Sequence, residues 1–311
     1  MGRREMVEPD WIAVDWGTSS MRAWGIAIDG SVLFSVASDR GMARLAPGEY
    51  PAVLTALVAD HLESAGPRRD VVICGMAGAR QGWAEAPYLD VPVALDELLA
   101  GAVAPVPAVG RLLPRILPGL CQRRAGAEDV MRGEETQLLG LATLLPDFDG
   151  VVALPGTHCK WVRLAGRRVE GFSSAMTGEI FEILRLHSVL RHSLGGEIDP
   201  AERWRGIAEG LAAGVAAPEK LLSQLFRVRA AALLSGKTPS WCAGYLSGLL
   251  VGADIGGQQS ALAGMPVALI GAPELSRLYA EGLKLIGGTA QIVDASAAVL
   301  AGLTAARRAA T

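Results

Sequence analysis

The residues Trp11-Ile12-Ala13-Val14-Asp15-Trp16-Gly17-Thr18-Ser19-Ser20-Met21-Arg22-Ala23-Trp24 are the stretch that decides the fold of this chain. The apolar run 11–14 predicts a buried strand, and a second apolar run, 23–28, predicts another. Between them lie an acid, Asp15, and a glycine that is followed by three hydroxyl residues. The stretch therefore predicts a hairpin whose turn, 17–20, consists of small and hydroxyl residues.

This turn is open to two interpretations. Small residues at a turn let backbone N–H groups approach an anion closely, so Gly17, Thr18 and Ser19 could bind phosphate. Asp15 at the base of the turn could hold a hydrated Mg²⁺, because this cation prefers oxygen ligands and keeps several waters. A hairpin turn without any ligand has a similar composition, and an Asp at a strand end is often only a turn residue.

The composition excludes some classes of protein. The chain has 311 residues, enough for two domains, and half of them are hydrophobic. Its net charge is −3 and it has no basic stripe, so nucleic acid is not an expected partner. The four cysteines show neither metal-ligand spacing nor a disulfide framework, which favours a cytoplasmic location. We expect neither a signal peptide in the charged segment 1–10 nor a membrane span in the interrupted apolar region 245–272.

The pattern of the first hairpin returns in the second half of the chain. The apolar run 151–154 leads into Pro155-Gly156-Thr157-His158-Cys159-Lys160-Trp161, and two further strands are predicted at 161–164 and 168–172. Both copies contain a Gly-Thr turn, a basic residue closely followed by Trp, and another tight turn. Such a repeat indicates a duplicated domain, and two Gly-Thr turns that face one cleft could hold the phosphates of one nucleotide.

The remaining elements follow from hydrophobic periodicity. Helical spacing predicts helices at 50–64, 132–145, 176–190, 200–214, 219–234, 240–262, 295–308 and from the turn 271–274 to 286. Apolar runs predict strands at 31–38, 70–74, 266–270 and 289–293. The segment 83–122 is rich in Pro and Ala and has weak periodicity, so we expect loops with short elements there.

Four short motifs follow one another in an order that resembles the sugar-kinase branch of the actin-like ATPases. They are Asp15-Trp16-Gly17-Thr18, Gly133-Glu134-Glu135, Pro155-Gly156-Thr157 and Ile270-Gly271-Ala272. Longer strings are similar to one family of that branch, the 2-dehydro-3-deoxygalactonokinases. These strings are Met131-Arg132-Gly133-Glu134-Glu135-Thr136-Gln137-Leu138 and 155–162, with shorter ones at 86–89, 118–120 and 176–179. The resemblance covers nearly the whole chain.

The resemblance implies an α/β fold with two ribonuclease H-like domains, 1–148 and 149–311, and a nucleotide cleft between them. It also implies a reaction, in which the γ-phosphate of Mg-ATP passes to the terminal hydroxyl of 2-dehydro-3-deoxy-D-galactonate during galactonate catabolism. A kinase of another sugar acid or of a ketose, and an ATP-gated actin-like scaffold without a sugar substrate, stay open as alternatives. A homodimer is a further hypothesis, since metabolic enzymes commonly form one.

The nucleotide-site roles below are implied by the resemblance. Asp15 would hold Mg²⁺ through water, and the phosphates would be bound by Gly17, Thr18, Ser19, Gly156 and Thr157. Lys160 could neutralise developing charge, and His158 could donate to a phosphate oxygen. Otherwise Lys160 is a solvated strand residue and His158 is only hydrogen-bonded within its turn. Gly271 and Ala272 would let the adenine approach the backbone.

Related sugar kinases place a catalytic Asp after a Gly, at the start of the helix before the second phosphate loop. Gly133-Glu134 occupies that place here. Because this residue is Glu rather than Asp, the general base could be Glu134 or Glu135, and Glu134 is our first choice. In the alternative interpretation, both glutamates only favour the helix N-terminus.

The substrate implied by the resemblance carries a carboxylate, which calls for an Arg because a guanidinium can bind it through a bidentate fork. Among four arginines near predicted loops of the first domain, 22, 44, 80 and 132, we select Arg44 and Arg132. A sugar-facing loop would contain Gly75, Gly78 and Trp83, although a Trp at such a place is often a core residue. Ala79-Arg80 departs from the Ser-Asn of the family, which leaves the contacts of this loop open.

Overall fold

The computed structural model describes residues 7–63, 65–106 and 109–309. The chain divides into two compact units. The first contains the described parts of Met1–Phe148 together with Leu164–Gly171 and the described part of Ala295–Thr311. The second contains Asp149–Arg163 and Phe172–Asp294.

The elements of the first unit are, in chain order, β1 (Trp11–Trp16), β2 (Met21–Ile26), β3 (Val32–Ser38), α1 (Tyr50–Val58), β4 (Arg69–Gly75), β5 (Tyr88–Asp90), β6 (Val93–Ala94), β7 (Leu112–Ile116), β8 (Gly119–Gln122), β9 (Asp129–Met131) and α2 (Glu134–Leu144). The main sheet has the order β3-β2-β1-β4-β7. β1 pairs antiparallel with β2 and parallel with β4. The short strands β5, β8 and β9 form a second sheet.

The elements of the second unit are β10 (Asp149–Leu154), β11 (Cys159–Ala165), β12 (Arg168–Ala175), α3 (Thr177–His187), α4 (Pro200–Ala216), α5 (Leu221–Leu234), α6 (Pro239–Gly257), α7 (Gln259–Leu262), β13 (Val267–Gly271), α8 (Pro273–Lys284) and β14 (Ala290–Asp294). Its strands have the order β14-β13-β10-β11-β12, with β10, β13 and β14 mutually parallel. This is the strand order of the first unit. The predicted fold class, α/β with two ribonuclease H-like units, is therefore confirmed.

Burial explains why the first strand of the hairpin is an uninterrupted apolar run. β1 lies in the middle of its sheet, so every residue from Trp11 to Val14 is buried. Trp16 at its end is fully buried as well, and its indole N–H donates to the Arg40 carbonyl at 3.0 Å. A strand that is covered on both faces is apolar without alternation.

The last helix, α9 (Ala295–Arg308), belongs to the first unit. It packs along α2 and also contacts β1 and β4. Two glycines allow the close approach, because a Cβ at Gly302 would lie 1.9 Å from the Thr136 carbonyl oxygen and one at Gly140 would lie 1.7 Å from that of Ala298. Residues 164–171 and α9 thus group with the first unit, whereas the sequence placed them in a second domain, 149–311.

Most predicted elements are present, with shifted ends. The helix predicted at 50–64 ends at Val58 and continues only as a short 3₁₀ turn, Ala59–His61, while Ser64 lies outside the described residues. The helix predicted at 240–262 ends at Gly257, and α7 follows separately. The described residues of the segment 83–122 contain four short strands, β5 to β8, in agreement with the expected short elements.

Candidate functional site

Backbone hydrogen bonds fix the shape of the turn between β1 and β2. The Gly17 N–H donates to the Ser20 carbonyl at 2.9 Å, which closes the turn. The carbonyls of Gly17 and Thr18 accept from the N–H groups of Met42 and Ala43 at 3.0 and 2.9 Å. Thr18, Ser19 and Ser20 are exposed. The turn is thus fixed by backbone hydrogen bonds and exposes three hydroxyl residues, whose donors are available to an anion.

Asp15 lies at the end of β1 beside this turn. It lines a cavity of about 210 Å³ together with Gly17, Ser20 and Arg22. Burial raises the pKa of its carboxyl group, and contacts with Cys74 and Arg22 oppose this shift. A carboxylate in a cavity of this size leaves room for several waters, which fits the way Mg²⁺ is bound in proteins. Arg22, which was considered for the substrate carboxylate but not selected, pairs with Asp15 across the hairpin and donates to the hydroxyl of Ser296 at the start of α9.

Two glycines bring the start of α2 to the end of the central strands. Gly75 ends β4 with φ +87°, and a Cβ there would lie 2.6 Å from the Trp16 carbonyl oxygen. Gly133 precedes α2 with φ +106°, and a Cβ there would lie 3.4 Å from the Gly75 Cα. Other residues rarely adopt this left-handed backbone. The first turn of α2 therefore lies close to the strand end that carries Asp15.

Glu134 and Glu135 begin α2 but differ in environment. Glu134 is partly buried, and its Oε2 accepts from the Arg132 N–H at 3.0 Å. Glu135 is 0 % exposed, and its Oε2 accepts from the Gly133 N–H at 2.7 Å. Burial, followed by the charge of Glu134, raises the pKa of Glu135 to about 8. Of the two glutamates, only Glu134 is accessible to solvent.

Arg132 and Gly78, both predicted to bind the substrate, lie next to each other. The Arg132 guanidinium stacks 4.3 Å above the Tyr88 ring, and its Nη2 donates to the Ala86 carbonyl at 2.8 Å. Its Nε and Nη1 are buried and have no hydrogen-bond partner. A Cβ at Gly78 would lie 2.8 Å from Nη1. Buried guanidinium donors without an acceptor are costly, so an acceptor from a ligand would relieve them.

Arg44 and Trp83, which were also predicted to bind the substrate, contact other parts of the protein. Arg44 ends the 3₁₀ turn that supports the Gly17 loop, but its exposed side chain pairs with Asp39. Trp83 packs on the rings of Trp16 and Tyr50, at centroid distances of 6.2 and 6.0 Å. These contacts favour the interpretation of Trp83 as a core residue.

The second Gly-Thr turn lies against the start of α3. The Glu179 N–H donates to the Thr157 carbonyl at 2.9 Å, and a Cβ at Gly178 would lie 2.4 Å from the Gly156 carbonyl oxygen. His158 and Glu179 are hydrogen-bonded through their side chains. Thr157 and His158 are exposed, as the residues of the first turn are.

A cavity of about 450 Å³ opens beside this turn. Its walls combine the turn with apolar side chains and a few polar groups: Gly156, Thr157, Thr177, Gly178, Glu179, Phe181, Glu182, Ile183, Arg203, Ser247, Leu250, Val251, Leu275 and Tyr279. Gly271 lies behind the turn, since a Cβ there would lie 3.0 Å from the Pro155 carbonyl oxygen. Ala272 follows as the residue before α8. A mostly apolar cavity with a backbone-rich polar end suits a nucleoside with attached phosphates.

Two charged residues, one buried and one partly buried, make hydrogen bonds within this unit. Lys160 is only 6 % exposed and donates to the Ser174 hydroxyl at 2.5 Å, so it is not a solvated strand residue. Asp254 of α6 was missed from the sequence. It accepts from the Trp161 indole, the Thr177 hydroxyl and the Tyr279 hydroxyl at 2.8, 3.1 and 2.6 Å. The available signal was an isolated acid within the otherwise apolar helix 239–257.

Comparison with known proteins identifies the family of this chain. The model of the family described as 2-keto-3-deoxy-galactonokinase matches residues 15–306 of the chain. The chain belongs to this family. All four motifs that carried the resemblance fall within the matched residues.

Named relatives of the kinase family match over almost their whole length. A probable 2-dehydro-3-deoxygalactonokinase of Rhizobium meliloti (strain 1021) is 44% identical over 303 residues, which are 96% of this chain and 97% of the relative. The 2-dehydro-3-deoxygalactonokinase of Escherichia coli (strain K12) is 34% identical over 94% of this chain and 96% of its own. A crystal structure from Sinorhizobium meliloti, provisionally named as the same kinase, superposes with a TM-score of 0.89 at 42% identity and covers 96% of this chain and 99% of that one.

The described residues of this family member contain no cluster of three or more His, Cys, Asp or Glu side chains that could hold a metal ion. This is compatible with Mg²⁺, which is usually bound through one or two carboxylates and the phosphates of a substrate. Within the same residues, none of the helices is long and apolar enough to cross a membrane.

Proposed function

We propose that this chain is an ATP-dependent kinase that phosphorylates the C6 hydroxyl of 2-dehydro-3-deoxy-D-galactonate, in the cytoplasm, as a step of galactonate catabolism. The observation that carries the proposal is the position of Glu134. It begins α2 beside the strand end of Asp15, within a family of kinases named for this substrate.

The second unit supplies the nucleotide pocket in this proposal. The base and ribose of ATP occupy the cavity of about 450 Å³, and Gly156 and Thr157 bind phosphate. We assign Gly271 and Ala272 to the adenosine, and Gly271 packs against the Pro155 carbonyl of this turn. Lys160 is too buried to contact the phosphates directly, so its ammonium group adds positive charge beneath the turn. His158, held by Glu179, is a donor at the turn's surface.

The first unit supplies further phosphate-binding residues and the general base. Gly17, Thr18 and Ser19 bind phosphate. Asp15 would hold Mg²⁺ through water, and this ion would neutralise phosphate charge when bound. Glu134 orients the C6 hydroxyl and accepts its proton while the oxygen bonds to the γ-phosphorus and ADP leaves. Phosphoryl transfer depends mainly on such positioning and charge stabilisation.

Arg132 is the group we assign to the carboxylate of the sugar acid. Its Nε and Nη1 lack an acceptor in the protein, and Nη1 packs closely against Gly78, where a Cβ would lie 2.8 Å from it. Arg132 also donates its own backbone N–H to Glu134. Arg132 thus connects the recognition of the sugar acid to the placement of the general base, Glu134.

An acceptor panel tests this function. ADP release with Mg-ATP would be measured for 2-dehydro-3-deoxygalactonate, 2-dehydro-3-deoxygluconate, galactonate and several ketoses. We expect turnover to be confined to the first compound, and Glu134→Gln to reduce kcat by at least 10²-fold while ATP still binds. Turnover on another acceptor would replace the proposed substrate. ATP hydrolysis that no acceptor stimulates would favour a nucleotide-gated scaffold instead.

A further inference from the structure

Glu135 is a buried carboxyl group that the proposed mechanism does not use. It is 0 % exposed, although it follows directly after the accessible Glu134. Its two oxygens have separate partners, because Oε2 accepts from the Gly133 N–H at 2.7 Å and Oε1 lies 3.1 Å from the Thr136 hydroxyl. A group enclosed in this way has no path to a substrate hydroxyl.

The bonds of Glu135 act on the turn that places Glu134. Gly133 adopts φ +106° directly before α2 and lies against Gly75 at the end of β4. Its N–H is held by Glu135, and the preceding N–H, that of Arg132, is held by Glu134. Without the Glu135 carboxyl, the Gly133 N–H would lose its acceptor, and the first turn of α2 would lose one of its two side-chain supports.

We propose that Glu135 is a positioning residue, which fixes the Gly133 turn and thereby the place of the Glu134 carboxylate. This inference rests on the proposed kinase function, with Glu134 as the general base. It separates the two glutamates by role, one accepting a proton from the substrate and the other holding the backbone from within the protein.

The protonation of Glu135 agrees with a structural rather than a reactive role. Burial raises its pKa to about 8, the neighbouring Glu134 raises it further, and Arg132 opposes the shift. Cys74 of β4 faces it as well and is hydrogen-bonded by Thr136. At pH 7 the group is therefore mostly a neutral acid. A neutral acid presents one acceptor and one donor, and a Gln side chain presents the same pair of groups.

The test compares Glu135→Gln, Glu135→Ala and Glu134→Gln in the full-length protein. We expect Glu135→Ala to lower kcat about 10- to 100-fold, the cost of misplacing a reacting group by about 1 Å. The KM for ATP should change less than about twofold, because Glu135 bonds to Gly133 and Thr136, neither of which we assign to the nucleotide. Glu135→Gln should restore kcat to within about threefold of the wild type, whereas Glu134→Gln should not be rescued.

A second measurement is independent of activity. A carboxyl whose folded pKa lies above its unfolded value of about 4.5 favours folding fully below pH 4.5, and this contribution is lost as the pH rises toward 8. Glu135→Gln should therefore flatten the fall in unfolding free energy between pH 5 and pH 8. If Glu135→Gln lost as much kcat as Glu134→Gln, or if Glu135→Ala kept full kcat, the positioning role would be wrong. If instead Glu134→Gln kept full kcat while the Glu135 variants behaved as expected, Glu134 would not be the general base. The role of Glu135 in fixing the Gly133 turn would still be supported.

Discussion

Replacing Gly302 by Ala tests whether the end of the chain helps to hold the catalytic helix. The added Cβ would lie 1.9 Å from the Thr136 carbonyl oxygen, about 1.5 Å short of the 3.4 Å at which ordinary contact begins. The obstacle is backbone on a neighbouring helix, so α2 and α9 must separate. Overpacking of this kind costs about 3 kcal/mol at the upper end of its usual range, and the better helix propensity of Ala returns about 1 kcal/mol.

The net expectation is a loss of about 2 kcal/mol of unfolding free energy, or about 4–8 °C in Tm. Thermal and urea unfolding would measure it, and kcat should fall in parallel because α2 carries Glu134. Gly257→Ala is the matched control, since Gly257 ends a helix and a Cβ there would meet no atom within 4 Å. This control should be neutral or slightly stabilising. A Gly302→Ala protein as stable as the control would refute the close packing of α2 and α9.

Three further perturbations address other parts of the structure. Asp254→Ala should lower the unfolding free energy by about 3–5 kcal/mol and weaken ATP binding, because it leaves the buried donors of Trp161, Thr177 and Tyr279 unpaired; unchanged urea unfolding would contradict this role. The pKa of Glu8 is lowered from 4.5 to about 2, chiefly by its hydrogen bond with Arg111, so its stabilisation is present above pH 4.5 and lost as the pH falls toward 2. Glu8→Gln should therefore be less stable than the wild type at pH 7, and this difference should shrink between pH 4.5 and 2 in denaturant titrations; a pH-independent difference would exclude the linkage. Asp15→Asn should raise the Mg²⁺ concentration needed for half-maximal turnover at least tenfold if this carboxylate holds the ion, and an unchanged requirement would remove Asp15 from the metal site.

Local sequence patterns predicted the parts of the fold that depend on local interactions. The two hairpins could be identified because each combines apolar strands with a glycine and hydroxyl turn. The start of α2 could be placed because Gly133 and two glutamates precede a helical repeat. Both features reflect backbone preferences and burial within a few residues of one another.

Other features depend on contacts between distant residues and could not be predicted in this way. The placement of α9 in the first unit depends on close contacts with α2, of Gly140 with Ala298 and of Gly302 with Thr136. The sequence of either helix alone does not indicate these contacts. In the same way, Asp254 becomes important only when strands and helices bring three donors to it. The distinction between Glu134 and Glu135 is also tertiary, because it arises from burial against the strand ends.

The most direct test of the kinase function is to locate the transferred phosphate. The protein would be incubated with Mg-ATP and 2-dehydro-3-deoxy-D-galactonate, and the products followed by ³¹P NMR. Transfer to the C6 hydroxyl predicts one phosphate monoester per ADP, with a phosphorus signal split by the two C6 protons. Inorganic phosphate as the only new phosphorus species, formed at the same rate without the sugar acid, would contradict it.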